Sequence, residues 1–306
     1  MTSYLAARLV QSIVVVLGVL ILVFLILNLT GDPARLMASP QATLEDIERL
    51  RRKMGFDRPL PEQFLRFLAG AVRGDFGHSL RYADQPALAI VIERFPATVE
   101  LALATLAWCI PVALGLGLVA AVRQRSVHES VAMTTALLGQ SMPSFWLGLM
   151  LILIFSVNLG LLPSSGRGTF AHLVLPALTL GGFFMARLTR LVRSGVLDVL
   201  GQDYVRTARA KGLAERMVVI RHALKNAAIP IVTIVGLDIG TLLGGAVITE
   251  TVFAWPGIGR LAIEAIAARD FPVVQADVFF IALAFVVINL GVDVLYTWLD
   301  PRVRLR

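Results

Sequence analysis

Cysteine and charge are the two things that this chain of 306 residues has little of. Cys109 is the single cysteine, so no disulfide framework can form within the chain. It lies in an apolar run, where a small buried hydrophobic side chain is expected. Only 16% of the residues are charged, whereas 57% are hydrophobic. This composition excludes an ordinary soluble domain and predicts a membrane protein that crosses the bilayer several times.

Motifs of enzyme chemistry are also missing. No lysine follows a glycine anywhere in the sequence, so the phosphate-binding loop of ATPases cannot form. His128-Glu129 begins a zinc-protease pattern, but Ala132 stands where the second histidine would be. The net charge of +7 is spread between apolar runs rather than gathered with aromatic residues, which argues against nucleic acid as a partner. We therefore expect no catalytic site, no metal site and no bound cofactor in this chain.

Apolar runs are what the sequence has in abundance, and they predict an all-α integral membrane protein with six transmembrane helices. Residues 9–29 carry no charge and, at 1.5 Å per residue, can cross a hydrocarbon core of about 30 Å. The other runs cover residues 99–121, 131–162, 170–185, 229–252 and 278–298. More than half of the 28 Lys and Arg residues fall on the side that holds both ends of the chain, which predicts N-in/C-in topology.

Two of these runs have unusual lengths. Residues 131–162 exceed what a bilayer core requires, and Pro143 is predicted to kink the helix there. Residues 170–185 are short, but Arg187, Arg190 and Arg193 follow, and their long stems can snorkel to the inner interface. The fourth helix is therefore predicted to continue into the cytosol.

A small helical periplasmic segment is predicted between the first two spans. Thr43-Leu44-Glu45-Asp46 resembles a capping box, and a second amphipathic stretch follows Pro61. The sequence thus divides into a first transmembrane helix (1–30), this periplasmic segment (31–96) and a five-helix core (97–306).

A polar passage between the fourth and fifth spans predicts a helix, a glycine turn and a second helix. Asp203 is suited to cap the first helix, and Gly212 to end it in the left-handed conformation. The second helix is predicted over 214–228, with Pro230 beginning the next element. Its expected buried stripe is Met217, Ile220, Leu224 and Ala227.

The fifth span carries two different faces. Small residues repeat every four positions and predict close packing against another helix: Gly236, Gly240 and Gly244. The opposite face is polar and supplies candidates for a translocation pathway: Asp238, Thr241, Gly245 and Thr249. An ionised aspartate at a helix centre costs about 2.5 to 3.5 kcal/mol on the insertion scale, so Asp238 should face a cavity or a partner. It either locks two helices together or contacts the substrate.

Several motifs resemble one family. Arg206-Thr207-Ala208-x-x-x-Gly212 resembles the cytoplasmic EAA loop of bacterial ABC importer permeases, in the form used by the dipeptide/oligopeptide/nickel family. Arg206 and Thr207 replace the Glu and first Ala of the general pattern. The long first outer loop is similar to that of the B-type permease in this family. Further stretches that look like family signatures are residues 31–33, 74–79, 250–259 and 300–304.

This resemblance implies a type I ABC importer transmembrane fold with a cytoplasmic coupling helix at 203–217 that docks into an ATPase. The residues implied in ATPase coupling are Tyr204, Arg206, Thr207, Ala208, Ala210, Lys211 and Gly212. The resemblance also implies an outer loop that closes the fifth span, with the residues Glu250, Pro256, Gly257 and Gly259.

The same resemblance implies a set of partners in the bacterial inner membrane. They are a second homologous permease that forms a heterodimer with this chain, two ATP-binding subunits that hold ATP and Mg²⁺, a periplasmic or lipid-anchored substrate-binding protein, and the lipid bilayer. Peptides are the implied cargo, with glutathione or nickel chelates as alternatives for the same machinery. A secondary transporter driven by an ion gradient is the alternative from another class.

Overall fold

The computed structural model describes residues 2–29, 32, 34–35, 38, 41–82 and 85–299. Gly31, Pro33 and residues 300–304 lie outside the described residues. Helices make up the regular structure of the described chain: α1 (Thr2–Leu29), α2 (Leu44–Met54), α3 (Leu60–Arg73), α4 (Ala87–Val122), α5 (Val127–Ser141), α6 (Ser144–Leu151), α7 (Phe170–Leu200), α8 (Asp203–Ala210), α9 (Glu215–Met217), α10 (Lys225–Val252), α11 (Ile258–Ala267) and α12 (Phe271–Leu299). Two π-helical segments, Ile152–Asn158 and Val218–Leu224, follow α6 and α9.

Candidate membrane spans account for the longest helices. Ala87–Val122, Phe170–Leu200 and Phe271–Asp293 are each long and apolar enough to cross a bilayer. Two bent pairs, Val127–Ser141 with Ser144–Asn158 and Glu215–Ala228 with Pro230–Leu242, bring the number within the described residues to as many as five. Val10–Ile26 adds a shorter apolar helix. The all-α membrane class is therefore confirmed, whereas six crossings and N-in/C-in topology stay predictions.

Two compact units divide the chain. The first combines Met1–Thr98 with Pro256–Val287, and the second combines Val99–Trp255 with Ile288–Arg306.

The capping box predicted at the start of the outer segment is present. The Thr43 hydroxyl oxygen accepts from the Asp46 N–H at 3.3 Å, and the Asp46 carboxylate accepts from the Thr43 N–H at 3.2 Å. Hydrogen bonds from the Thr43 side chain and backbone hold the pKa of the Asp46 carboxyl below its ordinary value. The helix ends at Gly55 in the left-handed conformation, with φ 74°. Local sequence chemistry alone thus defines both ends of α2.

Aromatic side chains join the outer segment to apolar helices within the first unit. Phe24 of α1 contacts Phe64 and Phe67 of α3, with ring centroids 5.3 and 6.1 Å apart. Phe67 in turn contacts Phe76, which lies 5.2 Å from Phe279 of α12. Such ring pairs add stability beyond the apolar area that they bury. The segment between α1 and α4 is therefore packed onto helices of its own unit rather than linked loosely to them.

A buried carboxylate fixes the loop after α3 in the same unit. Ser79 donates its hydroxyl to the Asp270 carboxylate, and the backbone N–H of Arg81 lies 3.3 Å from the same oxygen. Both Ser79 and Asp270 are buried. Nearby, the Ile258 N–H donates to the Thr98 hydroxyl at 3.0 Å, which satisfies a backbone group at the start of α11.

Helix boundaries differ from the sequence expectations at two of the spans. Helix α4 begins at Ala87, well before the predicted start at 99, and it includes Pro96. The long third run is not one kinked helix, because α5 and α6 form a bent pair with an angle of 106°. Met142 and Pro143 lie at the break, where Pro143 precedes the first residue of α6. The position of the break was predicted correctly, but its sharpness was not.

The fourth helix does continue beyond Met185, as expected, and ends at Leu200. Two of its three arginines, however, pair with acidic side chains of neighbouring helices instead of simply extending to an interface. Arg193 Nε lies 3.0 Å from the Glu129 carboxylate of α5. Arg187 pairs with Asp238 of α10. These two ion pairs link α7 to α5 and to α10 in the second unit.

Candidate functional site

A short helix, α8, lies directly after α7 in the chain. It begins one residue earlier than an Asp203 cap would require: Gln202 is the N-cap, and Asp203 is the first helical residue. The carbonyl of Gln202 accepts from the Val205 N–H at 3.1 Å. Asp203 keeps a favourable place, because a carboxylate in the first turn interacts well with the helix dipole.

The turn that ends α8 is formed by Gly212, with φ 76°. An added Cβ would meet nothing within 4 Å, so only backbone conformation favours glycine there. The Leu213 N–H reaches back to the Ala208 carbonyl at 3.4 Å and closes the end of the helix. The predicted helix–glycine–helix pattern is present, although α8 is separated from the next span by an irregular segment.

That segment departs from the expected second helix at 214–228. It consists of α9, the π-helical segment Val218–Leu224 and the start of α10, which passes through Pro230 with a bend of 51°. Met217 and Ile220 of the predicted buried stripe are 45% and 48% exposed. Ala227 is buried as predicted and Leu224 is half-buried, whereas the other buried residues are Val218, Val219 and Ala223. A π-helix bonds i to i+5, so the 3.6-residue period used for the prediction fails there.

One face of α8 packs against this segment. Val205 is completely buried, and Ala208 is 6% exposed. Both belong to the cluster that contains Val218 and Ala223. Ala208 therefore lies on the face covered by its own chain, and its small side chain is suited to close packing of α8 rather than to contact with another protein.

The other face of α8 is open and basic. Tyr204, Arg206, Thr207, Ala210 and Lys211 are all exposed. Among the residues that the structure describes, Arg206 pairs only with Asp203, at 3.5 Å, and both side chains are highly exposed. Such pairs contribute little to stability. The guanidinium and ammonium groups of this face are thus available to an acidic partner surface.

Two contacts clip α8 to the segment that follows it. Arg209 forms a two-pronged pair with Glu215, with Nε–Oε2 and Nη2–Oε1 distances of 3.0 and 2.6 Å. The hydrogen bond to Glu215 raises the pKa of the Arg209 guanidinium. On the opposite side, the amide of Asn226 donates to the Tyr204 hydroxyl at 2.9 Å. We name Arg209, Glu215, Tyr204 and Asn226 the clip. Sequence reasoning missed it, although an arginine and a glutamate flanking a glycine turn are a recognisable signal.

An intramembrane ion pair lies farther along the same two helices. Arg187 Nη1 of α7 is 2.9 Å from Asp238 Oδ1 of α10. The Asp238 side chain is 7% exposed, whereas that of Arg187 is 43% exposed. Asp238 thus faces a partner, as the insertion cost requires. A lone acid in one apolar run and arginines in the preceding one were the signal that could have identified the pair.

The remaining candidates of the fifth span have different surroundings. Thr241 donates its hydroxyl to the Asp238 carbonyl at 2.8 Å, and Thr249 is completely buried. A Cβ on Gly236 would come within 2.5 Å of Val292, so this glycine permits close approach of α12. Gly240 is buried, while Gly244 has open space beside it. The burial of Gly245 lies outside what the structure describes.

The outer loop after α10 is tightly packed within each unit. Glu250, Phe253 and Trp255 are fully buried. The Phe253 carbonyl accepts from the Gly166 N–H at 2.9 Å, and the Trp255 N–H donates to the Glu250 carbonyl at 2.8 Å.

Glycines of this loop begin the next helix. Gly257 is the extended N-cap of α11, Gly259 is buried in its first turn, and Pro256 is partly exposed just before them. The loop is therefore a well-defined structure rather than a free connection.

The folded architecture is that of the transmembrane domain of an ABC transporter. The structure is similar to one titled inward facing conformations of the MetNI methionine ABC transporter, with a TM-score of 0.51 and 17% identity over 69% of this chain and 94% of that chain. It is also similar to the crystal structure of an amino acid ABC transporter with histidines, with a TM-score of 0.52 and 16% identity over 70% and 94% of the two chains.

Sequence comparison identifies the family. Residues 113–305 match the inner membrane component of binding-protein-dependent transport systems, and residues 1–102 match the N-terminal model for membrane components of these systems. The chain is 43% identical to the glutathione transport system permease protein GsiC of Escherichia coli strain K12, over 99% of both chains. It is 44% identical to GsiC of Pectobacterium atrosepticum, also over 99% of both chains. The chain belongs to this family of ABC importer permeases, in its dipeptide/oligopeptide/nickel branch.

Proposed function

We propose that this chain forms half of the translocation pathway of an ATP-driven importer for peptides. The observation that carries the proposal is α8, a short helix with an exposed basic face held against the transmembrane helices by the clip. Family membership makes the chain an importer permease that works with a substrate-binding protein and ATPases. The sequence lacks the phosphate-binding loop, so ATP and Mg²⁺ belong in two partner subunits and the chain itself is not an enzyme.

The assembly that we propose contains a second, homologous permease as the other half of a heterodimer. The binding protein is periplasmic or lipid-anchored and delivers the substrate at the outer face. The chain resides in the bacterial inner membrane with both termini in the cytoplasm. The family description as an inner membrane component supports this location, and the distribution of Lys and Arg supports the orientation.

Coupling follows from how α8 is attached. When two ATPase subunits close on ATP, the α8 helices that they hold move together. Because Val205 and Ala208 are buried in the core of the second unit and Arg209 bonds Glu215, this movement is passed to α10 rather than absorbed by a loose loop. Rigid-body rocking then exposes the pathway alternately to the two sides of the membrane.

Peptides are the cargo that the family branch favours, and glutathione is the specific candidate. The support comes from the relatives, glutathione transport system permeases that match this chain over 99% of its length. Selection of the cargo is assigned to the binding protein, which is the subunit that meets the substrate first.

The test is uptake by proteoliposomes that contain this chain with its second permease, ATPases and binding protein. Labelled glutathione and dialanine should accumulate only when ATP is enclosed with the ATPases. Uptake that is driven by a proton or sodium gradient without the ATPases would make the chain a secondary transporter and would refute the proposal. Accumulation of a nickel chelate, but of neither peptide, would support an ATP-driven importer and would show that its cargo is not a peptide.

A further inference from the structure

Three residues of α7 form a polar row on one side of the helix. Arg187, Arg190 and Ser194 are spaced by three and four positions, which places them on the same face. All three are exposed, whereas Leu188 and Val192 on the other side are buried. The row is therefore turned away from the packed core of the second unit.

The row lines a cavity between α7 and α10. The cavity has a volume of about 410 Å³, and its lining residues are Arg187, Arg190, Leu191, Ser194 and Ile234. Asp238 is not part of the lining, but its carboxylate accepts a hydrogen bond from Arg187 Nη1 at 2.9 Å. A guanidinium has five N–H donors, so this single bond fixes the position of Arg187 and leaves further donors for the cavity.

Charge in the cavity is not balanced. Asp238 compensates Arg187, but Arg190 makes no hydrogen bond or ion pair with any residue in the described part of the chain. A cation within an apolar span is costly unless it meets an anion or water. Two guanidinium groups one helical turn apart are suited to a carboxylate, which they bind through paired N–H donors.

The serine adds a second kind of recognition. Ser194 donates its hydroxyl to the Leu191 carbonyl at 3.2 Å, so its oxygen is left as an acceptor. A group that combines a carboxylate with a neighbouring amide N–H satisfies both the arginines and this oxygen. The carboxyl end of a peptide presents these two groups side by side.

We propose that Arg190, Ser194 and the Asp238-anchored Arg187 form a binding site for the terminal carboxylate of a peptide on its way through the subunit. This inference rests on the proposed function as a peptide importer and adds the residues that hold the cargo. Asp238 is then a positioning residue, because it acts through Arg187 and does not touch the peptide. An anionic lipid headgroup is also negatively charged and could bind the same arginines. The test therefore distinguishes a peptide carboxylate from a lipid headgroup.

A reporter thiol in the cavity measures occupancy directly. The variant Leu191→Cys places it on the lining and leaves the three polar side chains unchanged, and the native Cys109 is 1% exposed, so it competes little for the reagent. The complete importer, without nucleotide and binding protein, is placed in nanodiscs of phosphatidylcholine. Alkylation of the thiol is followed with dialanine, trialanine or dialanine amide.

We expect both free peptides to slow alkylation and the amide to have little effect. In the Arg190→Gln background, the peptide concentration for half-protection should rise about tenfold, which corresponds to about 1.4 kcal/mol. Arg190→Lys should give an intermediate value, because it keeps the charge and loses the paired donors. Arg193→Gln is the matched control on the same helix, since Arg193 bonds Glu129 and does not line the cavity.

Several results would overturn the inference. They are equal protection by dialanine and its amide, protection that Arg190→Gln leaves unchanged, or no protection by any peptide. Slower alkylation on adding phosphatidylglycerol, without an effect of peptides, would identify a headgroup site instead. Wild-type uptake is measured in parallel: ATP-dependent peptide uptake without cavity protection refutes only this site, whereas no ATP-dependent uptake refutes the importer function.

Discussion

Gly212 offers the sharpest test of the coupling helix. In Gly212→Ala the added methyl group meets nothing within 4 Å, so the substitution changes only the energy of the backbone. A non-glycine residue in the left-handed region costs about 1 to 2 kcal/mol. That cost falls on the turn that ends α8 and lowers the population of the docked geometry by a factor of about 5 to 30.

The assay is the number of substrate molecules transported per ATP hydrolysed in proteoliposomes. Gly212→Ala should lower this ratio while the protein still inserts and assembles. Gly201→Ala is the matched control, because Gly201 has φ −79° and an added Cβ would make ordinary contacts of 3.7 and 3.9 Å. Gly212→Asn should lie between the two, since asparagine tolerates the left-handed region better than alanine.

Two outcomes would refute this reasoning. One is a wild-type ratio in Gly212→Ala, which would mean that the turn does not hold α8 in the geometry needed for coupling. The other is an equal loss in Gly201→Ala, which would show that any added side chain between α7 and α9 disturbs the protein and that the left-handed conformation at Gly212 is not required.

Three further predictions follow from the same contacts. A cysteine at exposed Ala210 should cross-link to an ATPase subunit, whereas one at buried Ala208 should react slowly and cross-link poorly; similar yields at both would contradict the orientation of α8. Arg187→Ala should lower the free energy of unfolding of the purified complex, measured by thermal denaturation, by about 1 to 3 kcal/mol, because it leaves the buried Asp238 carboxylate without its partner. Adding Asp238→Asn should restore most of that loss, and no restoration would argue against the pair. Glu215→Gln should weaken coupling without affecting insertion, and unchanged transport per ATP would show that the clip is dispensable.

Local chemistry made part of the fold predictable from sequence. The capping box at Thr43 and the left-handed turn at Gly212 depend on residues close in the chain, so their patterns are sufficient. The break at Pro143 was predictable for the same reason, because proline disfavours helical geometry in the residue before it. The angle of 106° was not, since packing between distant helices sets it.

The candidate site was predictable only in part. Asp238 required a partner, and the arginines of the preceding helix were candidates in the sequence, but the choice of Arg187 among them depends on how α7 and α10 pack. The predicted buried stripe was wrong at Met217 and Ile220, although Ala227 is buried as predicted. Nothing in the sequence marks the π-helical segment, whose period differs from the 3.6 residues used for the prediction. The motif assigned Ala208 to ATPase coupling. The structure shows that its side chain faces the core of its own chain.

The ion pair between α7 and α10 also bears on how the protein is made. Arg187 is synthesised well before Asp238, so α7 leaves the ribosome with a cation whose partner does not yet exist. An arginine at a helix centre costs about 2.5 to 3.5 kcal/mol on the insertion scale. That cost is relieved only when α10 arrives. The two helices are therefore expected to enter the lipid as a pair, with α7 retained at the insertion machinery until α10 has been translated.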